Sequence, residues 1–407
     1  VKVTLVSYGS TGDALPLVAL AAGLDAAGHR VVTVGDQAGA GLAARHGLEF
    51  HALAGSFQEL MEPGRPAALA VEAGHFTWKS LRDYDAHDRA RLALIQKVAR
   101  GSDVVVAMPT AHYHALAVAR DIGARPVLAV LQPLAPTHAM TPAGAGLPSL
   151  PRVLRRPAGR LVQRAGWLNA KGPLNDARRA LGQAPVEDPT RDAFTLCAWS
   201  PTLVPHPDDW PTSRFAITGR WHLPTRHGEP DPALDAFLDA GEPPVYVGFG
   251  SMQGFTGMHR LLDALFAGLA PRRIVLACGS GTPSDEDLPA GVHRVAGFVP
   301  HDWLFPRCAA IVHHCGAGTA HQAVAAGVPS IPVPISMDQP FWADRLHRLG
   351  VASAPLNPRK PGVELVRRAV AAAESRPVRR HAAELARRTA DEDGIAAAIR
   401  QIERLGH

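Results

Sequence analysis

The sequence predicts an α/β protein built from two doubly wound domains, and three observations carry that prediction. Apolar, β-branched runs alternate with helical segments in two separate series. A glycine-rich break follows the first strand of the chain, and another follows a strand ending at His313. Between the two series lies a Pro-rich stretch, Thr202 to Pro232, with the character of a linker. At 407 residues the chain has room for two or three domains of ~150 residues each.

The elements follow in order. Val1, Val3, Leu5 and Val6 form a buried-type strand that runs into Gly9, Ser10, Thr11, Gly12 and Asp13. A helix is expected from Leu15 to Ala27, with Pro16 in its first turn and Gly28 ending it. Arg30 to Val34 is the next strand, and Asp103 to Met108, the helix around Tyr113 to Ile122 and Pro126 to Leu131 repeat the unit. The rhythm is lost between about Leu134 and Arg191, where Pro148 to Arg164 is rich in proline and arginine. It resumes with a strand at Pro244 to Phe249, a helix at Met258 to Leu269 and a strand at Arg272 to Cys278. Ala309 to His313, a helix from near Ala317, Ser330 to Pro334 and a helix from Gln339 to Leu349 continue it.

Composition narrows the function classes. An apolar share of 46% with 19% charged residues is globular, not disordered. The 38 glycines and 36 prolines are scattered without a G-X-Y period, which excludes a collagen-like chain. No stretch reaches the ~18 unbroken apolar residues of a membrane span. The glycine-rich break after Ser7 is wrong for a signal peptide. Cys197, Cys278, Cys308 and Cys315 show no metal-ligand or disulfide-framework spacing, so a reducing cytoplasm is the expected compartment. The net charge of +5 is spread along the chain without a recognition motif, so no nucleic-acid partner is expected.

The richest segment runs from His313 to Val351, HHCGAGTAHQAVAAGVPSIPVPISMDQPFWADRLHRLGV. A buried strand ends at His313 and His314, Gly316 and Gly318 keep the turn free of side chains, and Thr319 opens a helix. Backbone N–H groups at a helix N-terminus, a hydroxyl and an imidazole suit a diphosphate, although glycines at such turns also serve packing alone. Asp338 and Gln339 follow the next strand and so reach the same sheet edge. A carboxylate beside a carboxamide offers several acceptors and two donors, which suits a polyhydroxylated ligand. Diphosphate and sugar sites one βα unit apart imply a nucleotide-sugar.

These residues resemble the inverting, GT-B-fold glycosyltransferases of the UDP-glycosyltransferase family (GT1). The branch is that of sterol glucosyltransferases and the actinomycete antibiotic transferases of the vancomycin group. GSTGDALPLVALAAGLDAAGHRV at Gly9 to Val31, GFGSM at Gly248 to Met252, VPHDWLFPRCAAIVHHCGAGT and MDQPFWADRLHRLGV carry the resemblance over nearly the whole chain. It implies two Rossmann-like domains facing a central cleft, an N-terminal acceptor domain over residues 1–208 and a C-terminal donor domain over 209–407. The last helix is expected to pack back on the first domain. His314 would contact the donor diphosphate with Gly316, Gly318 and Thr319, while Asp338 and Gln339 would hold sugar hydroxyls. Phe298 and Val299 occupy the place of the base-binding pair, and Ser251 would face the phosphates. Ser10, Thr11 and Gly12 would approach the donor from the N-terminal side. Gln322 stands where plant members carry a glutamate for the ribose, which leaves uridine and thymidine donors both open.

Direct displacement needs an acid–base group beside the acceptor hydroxyl, and the candidate is Asp13. The alternative is that Asp13 caps the helix beginning near Leu15, since aspartate is a favoured N-cap. His29 ends that helix and reads as structural. Asp83-Tyr84-Asp85 is formally a DxD but sits among charged residues and reads as a solvated helix face; Asp285-Glu286-Asp287 reads as a loop. His313 beside His314 lacks a third ligand at fitting spacing, so no essential metal and no further cofactor is expected.

The acceptor is expected on the N-terminal domain, with Phe76, Trp78 and Met140 as pocket candidates for a lipophilic aglycone. Arg152, Arg155, Arg156, Arg160 and Arg164 recur near helical spacing among Val153, Leu154, Leu161 and Val162. A basic amphipathic helix can lie on an anionic membrane surface, and a solvated arginine face is the plainer reading. Three functions follow: a transferase acting on a specialised metabolite, a peripheral-membrane transferase acting on a sterol or glycolipid, and a non-catalytic activator homologue. The residues at 13, 314, 319, 338 and 339 speak against the last. The oligomeric state is left open.

Overall fold

The computed structural model describes residues 1–60, 65, 87–143, 149–222, 231–250, 257–278, 288–297 and 299–406. The chain divides into two compact units, Val1–His222 with Glu392–His407, and Leu223–Asp391.

The first unit opens with β1 (Lys2–Val6), α1 (Thr11–Ala26), β2 (Arg30–Gly35), α2 (Ala40–Arg45), β3 (Phe50–Ala52) and α3 (Phe57–Leu60). It continues with α4 (Asp88–Ala99), β4 (Val104–Ala107), α5 (His112–Asp121), β5 (Arg125–Val130), α6 (Arg152–Ala180), β6 (Phe194–Cys197) and β7 (Phe215–Ile217). Its seven strands are all parallel in the order β3-β2-β1-β4-β5-β6-β7. A parallel sheet is covered on both faces, so its central strands are mostly apolar. Val3, Leu5, Val6 and Val104 to Val106 are accordingly buried, and Leu92, Ile95, Leu116 and Trp167 complete a core cluster beside them.

The second unit contains α7 (Pro232–Asp239), β8 (Val245–Gly248), α8 (Met258–Leu269), β9 (Ile274–Cys278), β10 (Val292–Ala296) and α9 (His301–Leu304). β11 (Ala310–His313), α10 (Ala317–Ala326), β12 (Ser330–Pro332), α11 (Gln339–Arg348), α12 (Val363–Ala373) and α13 (Arg376–Thr389) follow. The sheet is again parallel, in the order β10-β9-β8-β11-β12. The last helix, α14 (Gly394–Gly406), belongs to the first unit. It lies against α1 at Gly23, where a Cβ would come within 2.3 Å of Ile395. His29 Nε2 meets Glu403 there at 3.1 Å, a structural contact.

Three expectations change. The first helix begins at Thr11, four residues before Leu15, because Ser10 and Asp13 close its first turn; Pro16 then lies inside the helix. The Pro-rich stretch read as linker contributes β7, which adds to the sheet through Thr195↔Phe215 and Cys197↔Ile217. The segment without rhythm holds α6, a helix of 29 residues that contains Pro157 and Pro173. Gly159 is a packing position: a Cβ there would come within 2.9 Å of Pro136.

Candidate active site

In open parallel sheets, ligands gather outside the carboxyl ends of strands where the order reverses. In the second unit that point is β8 and β11, paired through Gly248↔His313. His313 is fully buried, and its Nδ1 accepts the Cys315 N–H at 3.2 Å, so its proton sits on Nε2. Cys315 takes φ +65, a left-handed conformation that a non-glycine residue adopts only under local constraint. The next imidazole, His314, fills the space that two glycines leave. A Cβ on Gly316 would lie 2.7 Å from its Nε2, and one on Gly250, which has φ +54, would lie 3.1 Å from its Cε1.

Burial lowers the pKa of His314 to about 4, with the Gly248 backbone acting in the opposite direction. His313 is lowered to about 3 by burial and by the neighbouring imidazoles of His314 and His301. Burial therefore favours the neutral imidazole at His314 over the charged form.

Gly316 is the N-cap of α10, and the first bonded donor of that helix is Ala320 N–H, 2.9 Å from Gly316 O. The N–H groups of Ala317, Gly318 and Thr319 thus emerge from the helix end, where the macrodipole favours negative charge. A Cβ on Gly318 would meet nothing within 4 Å, so that side of the turn is open. Gln322, half-buried, stands one turn further along the same face as Gly318.

The neighbouring strand end supplies the second half of the site. Met337, at φ +58, turns the chain into α11, whose N-cap is Asp338. Asp338 Oδ2 accepts the Trp342 indole N–H at 3.1 Å. Gln339 is only 5% exposed. Its Oε1 accepts the N–H groups of Ile335 at 2.8 Å and Ser336 at 3.0 Å. The carbonyl of Gln339 thereby holds the loop, which leaves its amide N–H groups for a ligand.

One linkage escaped the sequence reading. His321 Nδ1 donates to Ala317 O at 2.7 Å, and its ring meets Trp342 edge-on at 4.9 Å. Trp342 in turn reaches Asp338. A buried chain of side chains thus ties the start of α10 to the carboxylate at the start of α11. Nothing in the local spacing of His321 and Trp342 signals this, since the two lie on different helices.

In the first unit the order reverses at β1 and β4, and Asp13 follows β1. Asp13 is the third residue of α1, so it is not the N-cap; Ser10 is. Its Oδ2 accepts Ser10 N–H at 2.9 Å and the Ser10 hydroxyl at 3.0 Å. This is the return half of a capping box. Oδ1 takes neither of these bonds. Loss of solvent raises the Asp13 pKa above its ordinary value, while the hydrogen bonds from Ser10 work against the shift. Gly9, at φ +152, makes the arrangement possible: a Cβ there would lie 2.4 Å from Asp13 Oδ2. Thr11 and Gly12 are exposed beside it.

After β4, the Thr110 hydroxyl donates to Tyr8 O, which pins that loop to the end of β1, and His112 Nδ1 donates to Pro109 O within the loop. Met140 is half-buried in the loop after β5. Val299 packs beside Leu304 and Phe305. Ser251, Phe298, Phe76, Trp78, Asp83-Tyr84-Asp85 and Asp285-Glu286-Asp287 lie outside the described residues. Among the described residues, no group of three or more His, Cys, Asp or Glu side chains could hold a metal ion, and no helix is long and apolar enough to cross a membrane.

Residues 261–404 match the family described as erythromycin biosynthesis protein CIII-like, C-terminal domain. O-mycaminosyltylonolide 6-deoxyallosyltransferase of Streptomyces fradiae is 32% identical, over 87% of this chain and 85% of its own. A sterol 3-beta-glucosyltransferase of Arabidopsis thaliana is 28% identical over 98% of this chain, which spans 64% of that longer protein. Among solved structures, the glycosyltransferase VinC in complex with dTDP superposes with a TM-score of 0.67 at 21% identity, covering 100% of this chain and 99% of that one. The fold is therefore GT-B. The chain belongs to the GT1 family of antibiotic and sterol glycosyltransferases, and it is a glycosyltransferase.

Proposed function

We propose that the protein is an inverting transferase that moves a sugar from a dTDP- or UDP-sugar to a hydroxyl of a lipophilic specialised metabolite. Asp13 is its general base, and no metal takes part. The carrying observation is the state of Asp13: one carboxylate oxygen held by Ser10, the other outside those bonds, and a pKa raised toward the range useful for proton abstraction. A single base and one displacement invert the anomeric centre.

On the donor side, the three N–H groups at the start of α10 and the neutral imidazole of His314 meet the diphosphate and its developing charge. Asp338 and the Gln339 amide are the groups for sugar hydroxyls. Gln322 is assigned to the ribose, Phe298 and Val299 to the base, and Ser251 to the phosphates. The dTDP held by VinC supports a thymidine donor. The names of the Streptomyces and Arabidopsis relatives both point to a large, mostly apolar acceptor with a free hydroxyl. A sterol or glycolipid acceptor is the second reading, supported by the plant relative.

The test is turnover of dTDP- and UDP-sugars of α configuration with a panel of such acceptors in excess EDTA, with the product anomer read by proton NMR. A β-glycoside formed despite EDTA is the expected result. Retention of configuration, or loss of turnover in EDTA, overturns the mechanism.

A further inference from the structure

α6 carries a feature that sugar transfer does not use. Its inner face is spoken for: Gly159, Gly166, Trp167 and Leu174 are buried. Arg155 donates from Nε to Leu150 O at 2.8 Å and from Nη1 to Ala139 O at 2.7 Å. Arg156 Nε lies 3.7 Å from Asp209. Arg155 thus fastens the loop that carries Met140, and Arg156 meets Asp209, which in turn accepts from Thr137 and His138.

The outer face is different. Leu154 is 52% exposed, Leu161 69% and Leu168 60%, and Val153 stands beside them. A seven-residue spacing drifts only ~20° per repeat on a helix, so the three leucines form one line along it. Arg160, Arg164 and Lys171, all exposed, follow one side of that line, and Ala158 and Ala165 follow the other. The chain has no Asp or Glu between Asp121 and Asp176.

We propose that this outer face docks on an anionic lipid bilayer, the leucines entering the interface and the three cations meeting lipid phosphates. Long basic side chains beside an apolar line can keep their heads at the phosphate level while their stems lie on the apolar surface. A second copy is the poorer occupant, because the face has no acidic residue to answer its own cations. Docking by α6 would bring the Met140 loop, which its inner face holds, to the membrane surface. The proposal is independent of which donor or acceptor the enzyme uses.

The experiment is co-sedimentation of the full chain with phosphatidylglycerol-containing vesicles and with pure phosphatidylcholine vesicles, at low and high salt. Binding should require the anionic lipid and weaken with salt. Each basic side chain near such a surface is worth roughly a fivefold change in partition, so Arg160→Glu with Arg164→Glu should lower binding by roughly thirtyfold or more. Leu161→Glu should also abolish it, with thermal stability and turnover of a soluble acceptor unchanged. No binding to the anionic vesicles, or binding that survives Leu161→Glu, overturns the proposal. So does a wild-type dimer in light scattering that Leu161→Glu converts to monomer while vesicle binding is absent, an outcome that makes this face a contact between copies.

Discussion

Replacing Asp13 by asparagine separates its two roles, proton acceptor and helix cap. Asparagine has nearly the same volume and keeps an oxygen for the Ser10 N–H, now 2.9 Å from the carboxylate. It removes the charge and the ability to take a proton. A positioned general base contributes about 10²- to 10⁴-fold to a rate, so kcat/KM should fall by at least 100-fold, roughly 3 kcal/mol in the barrier.

The effect on stability follows from two opposing contributions. Loss of charge assistance to the two Ser10 bonds costs on the order of 1–2 kcal/mol. Against this stands the raised pKa. The folded state favours the protonated acid, so that contribution is present below the unfolded pKa and is lost as pH rises through the folded value. Ionisation of the carboxylate is therefore a burden on the fold, which the neutral amide removes. The net change should keep Tm within about 3 °C of wild type, since 1 kcal/mol moves the Tm of a unit this size by roughly 2–4 °C.

The assay is initial-rate release of nucleoside diphosphate, with dTDP affinity from calorimetry and Tm from thermal scanning on the same preparations. The acidic limb of kcat/KM should also vanish in Asp13→Asn. Turnover within threefold of wild type at unchanged dTDP affinity would falsify the base assignment. A fall of about 10 °C in Tm would show that capping is the dominant role.

Other outcomes follow from the donor-side geometry. Gly316→Ala, whose Cβ would sit 2.7 Å from His314 Nε2 at an ordinary backbone φ of −58, should weaken dTDP binding by about tenfold while costing less than about 1 kcal/mol of stability. Calorimetry and chemical denaturation read the two together. Gln339→Leu would leave the buried N–H groups of Ile335 and Ser336 without their acceptor, at about 1–3 kcal/mol each. A clear fall in Tm is expected, whereas Gln339→Glu keeps the acceptor and should spare most of it.

The buried imidazoles His112 and His314, lowered to about 4, and His313, lowered to about 3, favour the neutral form in the fold. Their contribution is complete above the ordinary value of 6.5 and is lost as pH falls from there toward 4. Tm should therefore drop between pH 7 and pH 5, and His112→Asn should make that drop smaller. An unchanged slope would show that His112 titrates normally in the fold.

Much of the second unit was legible because its chemistry is local. Met258–Leu269 was readable as a helix from its apolar period, and Ala310–His313 as a strand from its continuous apolar run. The turn around Gly316 read either as an anion site or as a packing device, since glycines at a helix start serve both. The start of α1 was misplaced because Thr11, Gly12 and Asp13 have no apolar period. Only the return bond from Asp13 to Ser10 shows that the helix has already begun. α6 was obscured by Pro157 and Pro173, which lower helix propensity locally. Packing decided its course instead, with Gly159 against Pro136 and Arg155 against the loop backbone. β7 is three residues long, too short for any period to show, and it exists because β6 offers an edge to pair with.

The sequence by itself determined which groups are present and in what local order: a carboxylate three residues after a serine, two histidines ahead of a glycine turn, an aspartate and glutamine at a helix start. Hydrogen-bonding capacity and backbone freedom are properties of single residues and short runs, so they can be read from them. Tertiary structure decided what state those groups are in. Burial favours the neutral form of His314, Ile335 and Ser336 take the carbonyl of Gln339, and Ser10 claims one oxygen of Asp13. It also decided that Arg155 and Arg156 point inward while Leu154, Leu161 and Leu168 face water. Desolvation and long-range pairing depend on what the rest of the chain places nearby, and a linear sequence does not contain that information in any single segment.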